Sequence, residues 1–178
     1  MMKLLVVILC LFSTCCAEIK AVIFDCCTAV NKDDPSTFAP LENTFFFYQW
    51  LAEEKEALDI KIGIVATAPR EYVVEQLQNL GIAHWCDTIV SNADEIAICR
   101  KANPSLYLRA AKNFGALPEE CLAIVNSKDE AASAFTAGCK TVALAHPSRR
   151  EEDFANVDLV LETLSDISPQ ELLSRFNE

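Results

Sequence analysis

Short apolar runs alternate with amphipathic segments along most of this chain. Six runs are rich in β-branched residues and have the length of strands that are buried on both faces. They lie at residues 19–24, 62–65, 88–90, 122–125, 141–144 and 157–161. Because helical patterns separate most of these runs, we predict a parallel β-sheet whose strands are joined by crossover helices.

Capping residues mark the predicted helices. A first helix is predicted over residues 41–58, with Phe47, Trp50, Leu51 and Leu58 on its inward side. The other four helices are predicted from Pro69 to Gly81, from Asn103-Pro104 to Gly115, from Ser127 to Gly138, and from Ser168 onward. Ser127 with Glu130, and Ser168 with Glu171, have the spacing of capping boxes.

These elements predict one α/β domain, in which helices cover both faces of a Rossmann-like parallel sheet in three layers. The chain has 178 residues, which is the size of a single average domain. We find no internal repeat and no linker that would divide it. We therefore assign residues 18–178 to this domain.

The first 17 residues differ from the rest. Lys3 supplies a positive charge, residues 4–12 are uninterruptedly apolar, and Cys15 and Ala17 are small residues placed for cleavage. This pattern is typical of a signal peptide and predicts export, either by secretion or to a periplasm. The alternative is a membrane anchor, but residues 4–17 are shorter than the roughly 20 residues that span a bilayer. We expect no stable membrane span.

The chain is strongly acidic. It has 26 Asp and Glu residues against 15 Lys and Arg, for a net charge of −11. Binding to nucleic acid phosphates requires clustered Lys and Arg residues. We therefore expect no nucleic acid partner, while the sequence leaves the oligomeric state open.

Six cysteines follow the predicted signal peptide: Cys26, Cys27, Cys86, Cys99, Cys121 and Cys139. An even number in an exported chain is compatible with disulfide bonds, and also with buried thiols that pack as small apolar groups. Both interpretations stay open. Because Cys121 and Cys139 each lie just before a predicted strand, we expect them near each other at one end of the sheet. No cysteine spacing indicates a zinc site.

Polar side chains follow the predicted strands, where an open parallel sheet binds its ligands. Asp25 ends the first strand, Thr67 follows the second, Lys101 precedes the third helix, and Asn126 follows the fourth strand. We expect a carboxylate, a hydroxyl, an amine and an amide to converge at this edge.

Three stretches carry a resemblance to a known family. They are residues 20–25 (KAVIFD), the K-x-x-P of residues 101–104, and residues 117–144 (LPEECLAIVNSKDEAASAFTAGCKTVAL). Through them, residues 19–173 resemble the haloacid dehalogenase superfamily of hydrolases and phosphatases. The resemblance implies a nucleophilic aspartate that attacks phosphorus or carbon and, in most phosphatases, a bound Mg²⁺.

The first motif is only partly kept. The resemblance places the nucleophile at Asp25, but Cys27 stands where the phosphatases carry an Asp that acts as general acid. A thiol, whose ordinary pKa is about 8.5, is a poor substitute for a step typically worth ~10²–10⁴-fold in rate. Thr28-Ala29 replaces the usual Gly-Thr, which puts the close approach of the backbone to a phosphate in doubt.

The second and third motifs differ in how well they are kept. Ala66 aligns with the Ser or Thr that binds the transferring group, and Thr67 is one residue away as a substitute. Lys101 keeps the family's lysine, which neutralises the charge of the nucleophile and substrate. The implied catalytic residues are therefore Asp25, Thr67 and Lys101.

The fourth motif bears on the metal. Asn126 stands where the family carries its main metal-binding acid. An amide oxygen can bind Mg²⁺ but adds no negative charge to the site. The resemblance thus implies a weak or lost Mg²⁺ site formed by Asp25, Cys27 and Asn126, and no other cofactor. Glu130 falls where some members carry a second acid, although its alternative role is the capping box with Ser127.

Only 35 residues separate Asp25 from Lys61, which leaves no room for the mobile cap domain that encloses small substrates in this superfamily. Lids exclude water and complete a site. A site without a cap suits a macromolecular substrate or closure by a partner.

Three functions are compatible with these features. The first is an exported, catalytically weakened or inactive member that binds a protein or a phosphorylated substrate, which would account for all three motif replacements. The second is a working Mg²⁺-dependent phosphatase that uses Asp25. The third is a metal-independent hydrolase similar to the dehalogenase branch, although that branch uses a cap and a second-motif serine. Mg²⁺ dependence separates the second from the third, and lack of turnover separates both from the first.

Overall fold

The computed structural model describes residues 17–26, 44–91, 104–145, 154 and 156–177. The strands within these ranges are β1 (Ala21–Asp25), β2 (Lys61–Ala66), β3 (Thr88–Ser91), β4 (Cys121–Val125), β5 (Lys140–Leu144) and β6 (Leu159–Leu161). The helices are α1 (Phe45–Glu54), α2 (Arg70–Asn79), α3 (Ser105–Phe114), α4 (Lys128–Ala137) and α5 (Pro169–Ser174).

The strands form one parallel sheet in the order β3-β2-β1-β4-β5-β6. From β1 the chain builds outward through β2 to β3, and it then returns to place β4 on the other side of β1. Strand order therefore reverses between β1 and β4, and the carboxyl ends of these strands flank the crevice where such sheets bind ligands. The predicted three-layer α/β fold is confirmed.

Both faces of the sheet are buried, which explains why its central strands are apolar throughout. Along β1, Val22 and Phe24 belong to one core cluster, whereas Ala21 and Ile23 belong to the other. Helices α1, α2 and α5 contribute side chains to the first cluster, and α3 and α4 contribute to the second. Because side chains alternate along a strand, the side chain of Asp25 points toward the face covered by α3 and α4.

Each predicted strand overlaps an observed one, and the largest difference concerns the first helix. Helix α1 begins at Phe45 and ends at Glu54, four residues before the predicted end at Leu58, and residues 41–43 lie outside the described ranges. Trp50 was predicted to face inward, but it is 39% exposed, and its indole N–H donates to Glu54 Oε1 at 2.8 Å. The buried stripe consists instead of Phe47, Tyr48 and Leu51, which leaves Trp50 at the margin of the helix face.

Ser127, Gly115 and Gly138 begin or end their helices as predicted. Ser127 Oγ accepts a hydrogen bond from the Glu130 backbone N–H at 3.3 Å, which closes the capping box at α4. Gly115 and Gly138 end α3 and α4 with φ angles of 72° and 89°, a left-handed conformation that glycine adopts without strain. At α5, Ser168 Oγ accepts a hydrogen bond from the Glu171 backbone N–H at 3.1 Å, while the Glu171 side chain accepts from Arg175, so only one half of the predicted capping box forms.

The two ends of the described domain meet. The backbone N–H of Ile19 donates to Asn177 Oδ1 at 2.9 Å. Because Ile19 immediately precedes β1, this contact lies at the amino edge of the sheet, opposite the edge that carries Asp25.

The predicted signal peptide falls on residues 1–17, of which residues 1–16 lie outside the described ranges. Among the helices that the structure describes, none combines the length and the apolar character needed to cross a bilayer. Export and the boundary at residue 18 stay predictions.

Candidate active site

A small cavity lies at the carboxyl ends of β1 and β4. Its volume of about 10 Å³ is close to the space that one water molecule requires. The lining residues are Phe24, Asp25, Thr44, Ile124, Val125, Asn126 and Leu144. The structure thus brings two of the predicted site residues, Asp25 and Asn126, to the point where strand order reverses.

Asp25 is the last residue of β1 and is only 5% exposed. The backbone N–H of Cys26 donates to the Val65 carbonyl at 2.9 Å, so the ladder between β1 and β2 extends past Asp25 and fixes its backbone. A buried carboxylate is costly unless it accepts hydrogen bonds. One donor is the hydroxyl of Tyr107, a residue of α3, which bonds to Asp25 Oδ2.

Asn126 follows β4, and its backbone is held by the first turn of α4. Glu130 Oε2 accepts hydrogen bonds from the backbone N–H groups of Asn126, at 2.9 Å, and Ser127, at 3.1 Å. Glu130 is itself buried. Its predicted capping role is confirmed, whereas a role as a second metal-binding acid stays a prediction.

The charges of Asp25 and Glu130 both act on the Cys26 thiol. Burial raises the pKa of Cys26 well above its ordinary value, and the nearby negative charges of Asp25 and Glu130 raise it further. A thiol with such a pKa is neutral at physiological pH, and a neutral thiol is a poor nucleophile. Of the two groups at the end of β1, we therefore assign any nucleophilic role to Asp25 rather than to Cys26.

The donor set of the cavity fits Mg²⁺, the ion that the resemblance implies. Asp25 and Asn126 offer a carboxylate and an amide oxygen, and Mg²⁺ is commonly held by one or two carboxylates while it keeps several waters. Within the described ranges, no three or more His, Cys, Asp or Glu side chains form a cluster that could hold a metal. Asp25 and Asn126 would thus offer such an ion one carboxylate and one amide, with a single negative charge.

Of the remaining predicted site residues, the structure describes Thr67, which does not join this cavity. Thr67 is exposed and lies one residue beyond the end of β2. Ala66, where the resemblance expects a hydroxyl, is fully buried. Cys27 and Lys101 lie outside the described residues, so their roles stay predictions.

Tyr107 and Thr44 were missed at the level of sequence. Tyr107 shares the buried face of α3 with Ala110 and Ala111, and a buried tyrosine hydroxyl needs a polar partner, but the pattern does not say which. Thr44 is buried, and its carbonyl accepts a hydrogen bond from the Tyr48 N–H at 2.8 Å as α1 begins. No sequence signal placed Thr44 beside Asp25.

Comparison with known proteins gives one family. The profile of the haloacid dehalogenase-like hydrolases matches residues 28–144. YhcW of Bacillus subtilis (strain 168), named as a phosphatase, is 32% identical over 120 residues, which cover 67% of this chain and 54% of YhcW. Phosphoglycolate phosphatase of Escherichia coli (strain K12) is 27% identical over 133 residues, or 72% of this chain and 52% of that enzyme. The chain thus spans about half the length of these curated relatives.

Solved structures show the same fold. A β-phosphoglucomutase from Clostridium difficile superimposes with a TM-score of 0.61 at 19% identity. The superposition covers 74% of this chain and 55% of the mutase chain. A HAD phosphatase from Thermococcus onnurineus gives a TM-score of 0.58 at 23% identity, with coverage of 69% and 54%. At these identities the likeness establishes the architecture alone.

Proposed function

Because this chain belongs to the haloacid dehalogenase-like hydrolase family, we propose that it is an exported phosphatase-like domain with weakened or lost catalysis that binds a phosphorylated ligand. The observation that carries the proposal is the pairing of Asp25 with Asn126 across one small cavity. The nucleophile position keeps its carboxylate, while an amide stands where the family's metal-binding acid is expected. The site therefore keeps a nucleophile that can take up a phosphoryl group, but it lacks the second carboxylate that would hold Mg²⁺ tightly.

Residual hydrolysis would proceed through Asp25 in two steps. A carboxylate oxygen forms a bond to phosphorus as the bond from phosphorus to the leaving oxygen breaks, and the leaving oxygen takes a proton from Cys27 or water. Water then attacks the aspartyl phosphate and loses a proton to the Cys27 thiolate or to solvent, which releases phosphate and restores both side chains. Bound Mg²⁺ would supply positive charge that offsets the charge of the phosphoryl group.

Two replacements besides Asn126 lower the expected rate. Ala66 is fully buried and has no hydroxyl, and Thr67 lies outside the cavity lining, so a donor to the transferring group is missing from the described site. Removal of one such donor typically costs about 10²–10³-fold in kcat. Weak proton donation from Cys27 adds a loss of up to ~10⁴-fold.

A working Mg²⁺-dependent phosphatase is the second candidate. The phosphatase names of the relatives and the oxygen ligands at the cavity favour it. The 35 residues between Asp25 and Lys61 leave no room for a cap. For either candidate we therefore propose a phosphorylated macromolecule, or a protein partner that closes the site, rather than a small enclosed substrate.

The test is hydrolysis of an aryl phosphate by the purified protein, with and without Mg²⁺, beside the Asp25→Asn variant. We expect the wild-type rate to lie close to that of the variant. Turnover of about 1 s⁻¹ or faster that requires both Mg²⁺ and Asp25 would be that of an ordinary enzyme and would establish the second candidate.

Restoring the replaced groups gives a complementary test. The combined variant Cys27→Asp, Ala66→Ser and Asn126→Asp should raise hydrolysis by about 10²-fold or more. The same variant with Asp25→Asn is the control and should stay inactive. No gain in the folded triple variant would show that these replacements are not the cause of weak catalysis.

A further inference from the structure

We propose that Tyr107 is a positioning residue that fixes the side chain of Asp25 for reaction with a phosphoryl group. The two residues are 82 positions apart in sequence, and the Tyr107 hydroxyl donates a hydrogen bond to Asp25 Oδ2. Tyr107 is 1% exposed and Asp25 is 5% exposed. This inference rests on the proposed function, since it assigns a task within the same site.

The bond is strong because both groups are buried. The face of α3 that carries Tyr107 is otherwise lined by Leu106, Ala110 and Ala111. In such surroundings an unpaired hydroxyl or carboxylate is costly, and a hydrogen bond to a charged acceptor is about twice as strong as a neutral one. Rotation of the Asp25 carboxylate away from Tyr107 would therefore be unfavourable.

The bond also selects one carboxylate oxygen. Tyr107 lies on the side of the sheet covered by α3 and engages Oδ2 of Asp25. A hydrogen bond to one defined oxygen limits rotation of the carboxylate, so it fixes the orientation in which Asp25 meets a phosphoryl group.

Tyr107 also lies beside the helix turn that holds Asn126. Its hydroxyl oxygen lies 3.5 Å from the backbone carbonyl oxygen of Glu130 in the first turn of α4. The side chain of Glu130 in turn holds the backbone of Asn126. A single hydroxyl is thus next to both segments that present the cavity's polar groups, and its loss should loosen the position of Asp25 relative to Asn126.

The variant that tests this role is Tyr107→Phe, which keeps the ring and removes the hydroxyl. Tyr48→Phe is the matched control. Tyr48 is fully buried, its hydroxyl lies 2.8 Å from Cys86 Sγ, and it packs on the other face of the sheet. Both variants remove one buried hydroxyl, but only Tyr107→Phe removes a contact with Asp25.

The first measurement is turnover of an aryl phosphate, in the wild type if it is active or in the restored triple variant. We expect Tyr107→Phe to lower kcat and kcat/KM by the same factor, roughly 10-fold to 100-fold, because a nucleophile that is slightly misplaced loses rate rather than ground-state binding. Tyr48→Phe should leave both constants unchanged. Equal kcat values for the two variants would overturn the positioning role and leave the proposed function standing.

The second measurement does not require turnover. The side-chain carboxyl carbon of Asp25 is followed by ¹³C NMR at one fixed pH without ligand, and its signal is assigned by its loss in Asp25→Asn. We expect the signal to move in Tyr107→Phe and to stay in place in Tyr48→Phe. If the signal moves but the protein shows no turnover, the positioning role of Tyr107 is supported and the proposed residual phosphatase chemistry is not.

A third measurement uses the wild type alone, in case Tyr107→Phe does not fold. Transfer from H₂O to D₂O replaces the Tyr107 hydroxyl proton by deuterium, which should shift the Asp25 carboxyl carbon signal through the hydrogen bond. An Asp25 signal that shows no such shift would overturn the proposal.

Discussion

The backbone N–H of Asn126 donates to Glu130 Oε2 at 2.9 Å, so the first turn of α4 holds the strand end that faces Asp25. The same oxygen accepts from the Ser127 N–H at 3.1 Å. One buried carboxylate thus satisfies two backbone donors at the amino end of a helix, where negative charge is also favoured by the helix dipole.

Glu130→Ala should lower the free energy of unfolding by about 2–3 kcal/mol, because two backbone N–H groups lose a charged acceptor. Urea denaturation of the variant and the wild type measures the difference. The control is Asp129→Ala, which removes an exposed carboxylate from the same turn and should cost about 0.5 kcal/mol or less. Equal losses in the two variants would contradict a specific role for Glu130.

Asn126→Asp should tighten Mg²⁺ binding by about tenfold or more, since it adds a second carboxylate charge beside Asp25. Titration calorimetry of the protein with Mg²⁺ measures this change. Asn79→Asp, at the exposed end of α2, adds the same charge elsewhere and is the control. Tight binding by the wild type that Asp25→Asn abolishes would argue against a weakened metal site.

Gly63→Ala should destabilise the protein by roughly 1–3 kcal/mol through overpacking. A Cβ atom at residue 63 would lie 2.5 Å from Phe114 Cζ and 3.1 Å from Thr88 Cγ2. In a Phe114→Leu background the cost should be smaller, because the atom that clashes is gone. Denaturant unfolding of the two single variants and the double variant gives the coupling, and an unchanged cost of Gly63→Ala would contradict the close packing of α3 on β2.

Cys121 and Cys139 should react slowly with iodoacetamide in the folded protein. Burial raises the pKa of each thiol to about 12, so at pH 8 the thiolate fraction is on the order of 10⁻⁴ and increases about tenfold for each unit of higher pH. Mass spectrometry of the tryptic peptides 113–128 and 129–140 reports the two residues separately. The urea-unfolded protein is the control and should react quickly.

Fast labelling of the folded protein would contradict the burial of these thiols. Leu122 and Lys140 are partners in the register of β4 and β5. Cys121 begins β4 and Cys139 immediately precedes β5, so both lie at the amino edge of the sheet, as the sequence indicated. A peptide that joins residues 113–128 to residues 129–140 through a disulfide bond would contradict the thiol state that the structure shows.

Local signals were sufficient to predict most of the fold. Gly115, Gly138 and the capping box at Ser127 act within a few residues of the helix ends that they define, so sequence patterns reveal them directly. The face of α1 was harder, because its rotation is set by packing against distant strands. Trp50 lies at the edge of the buried stripe, where a small rotation decides between exposure and burial.

The candidate site was only partly accessible from the sequence. Asp25 and Asn126 stand at the carboxyl ends of two parallel strands that are distant in sequence. In a parallel sheet these ends lie at the same edge, so the topology predicts that the two residues are close together. The contact of Tyr107 with Asp25 depends instead on how α3 docks across the sheet, and it spans 82 residues. A periodic pattern shows that Tyr107 is buried, but it carries no information on the partner of its hydroxyl.

The hydrogen bond between Ile19 and Asn177 has a consequence for how this domain can be tethered. Because Ile19 and Asn177 meet at the amino edge of the sheet, a linker or tag joined next to either residue would start on the side opposite Asp25. On a surface anchored through such a segment, the cavity would face outward. A circular permutant could join the two ends through a short linker on the side of the sheet opposite Asp25. The new linker would then leave the cavity unchanged.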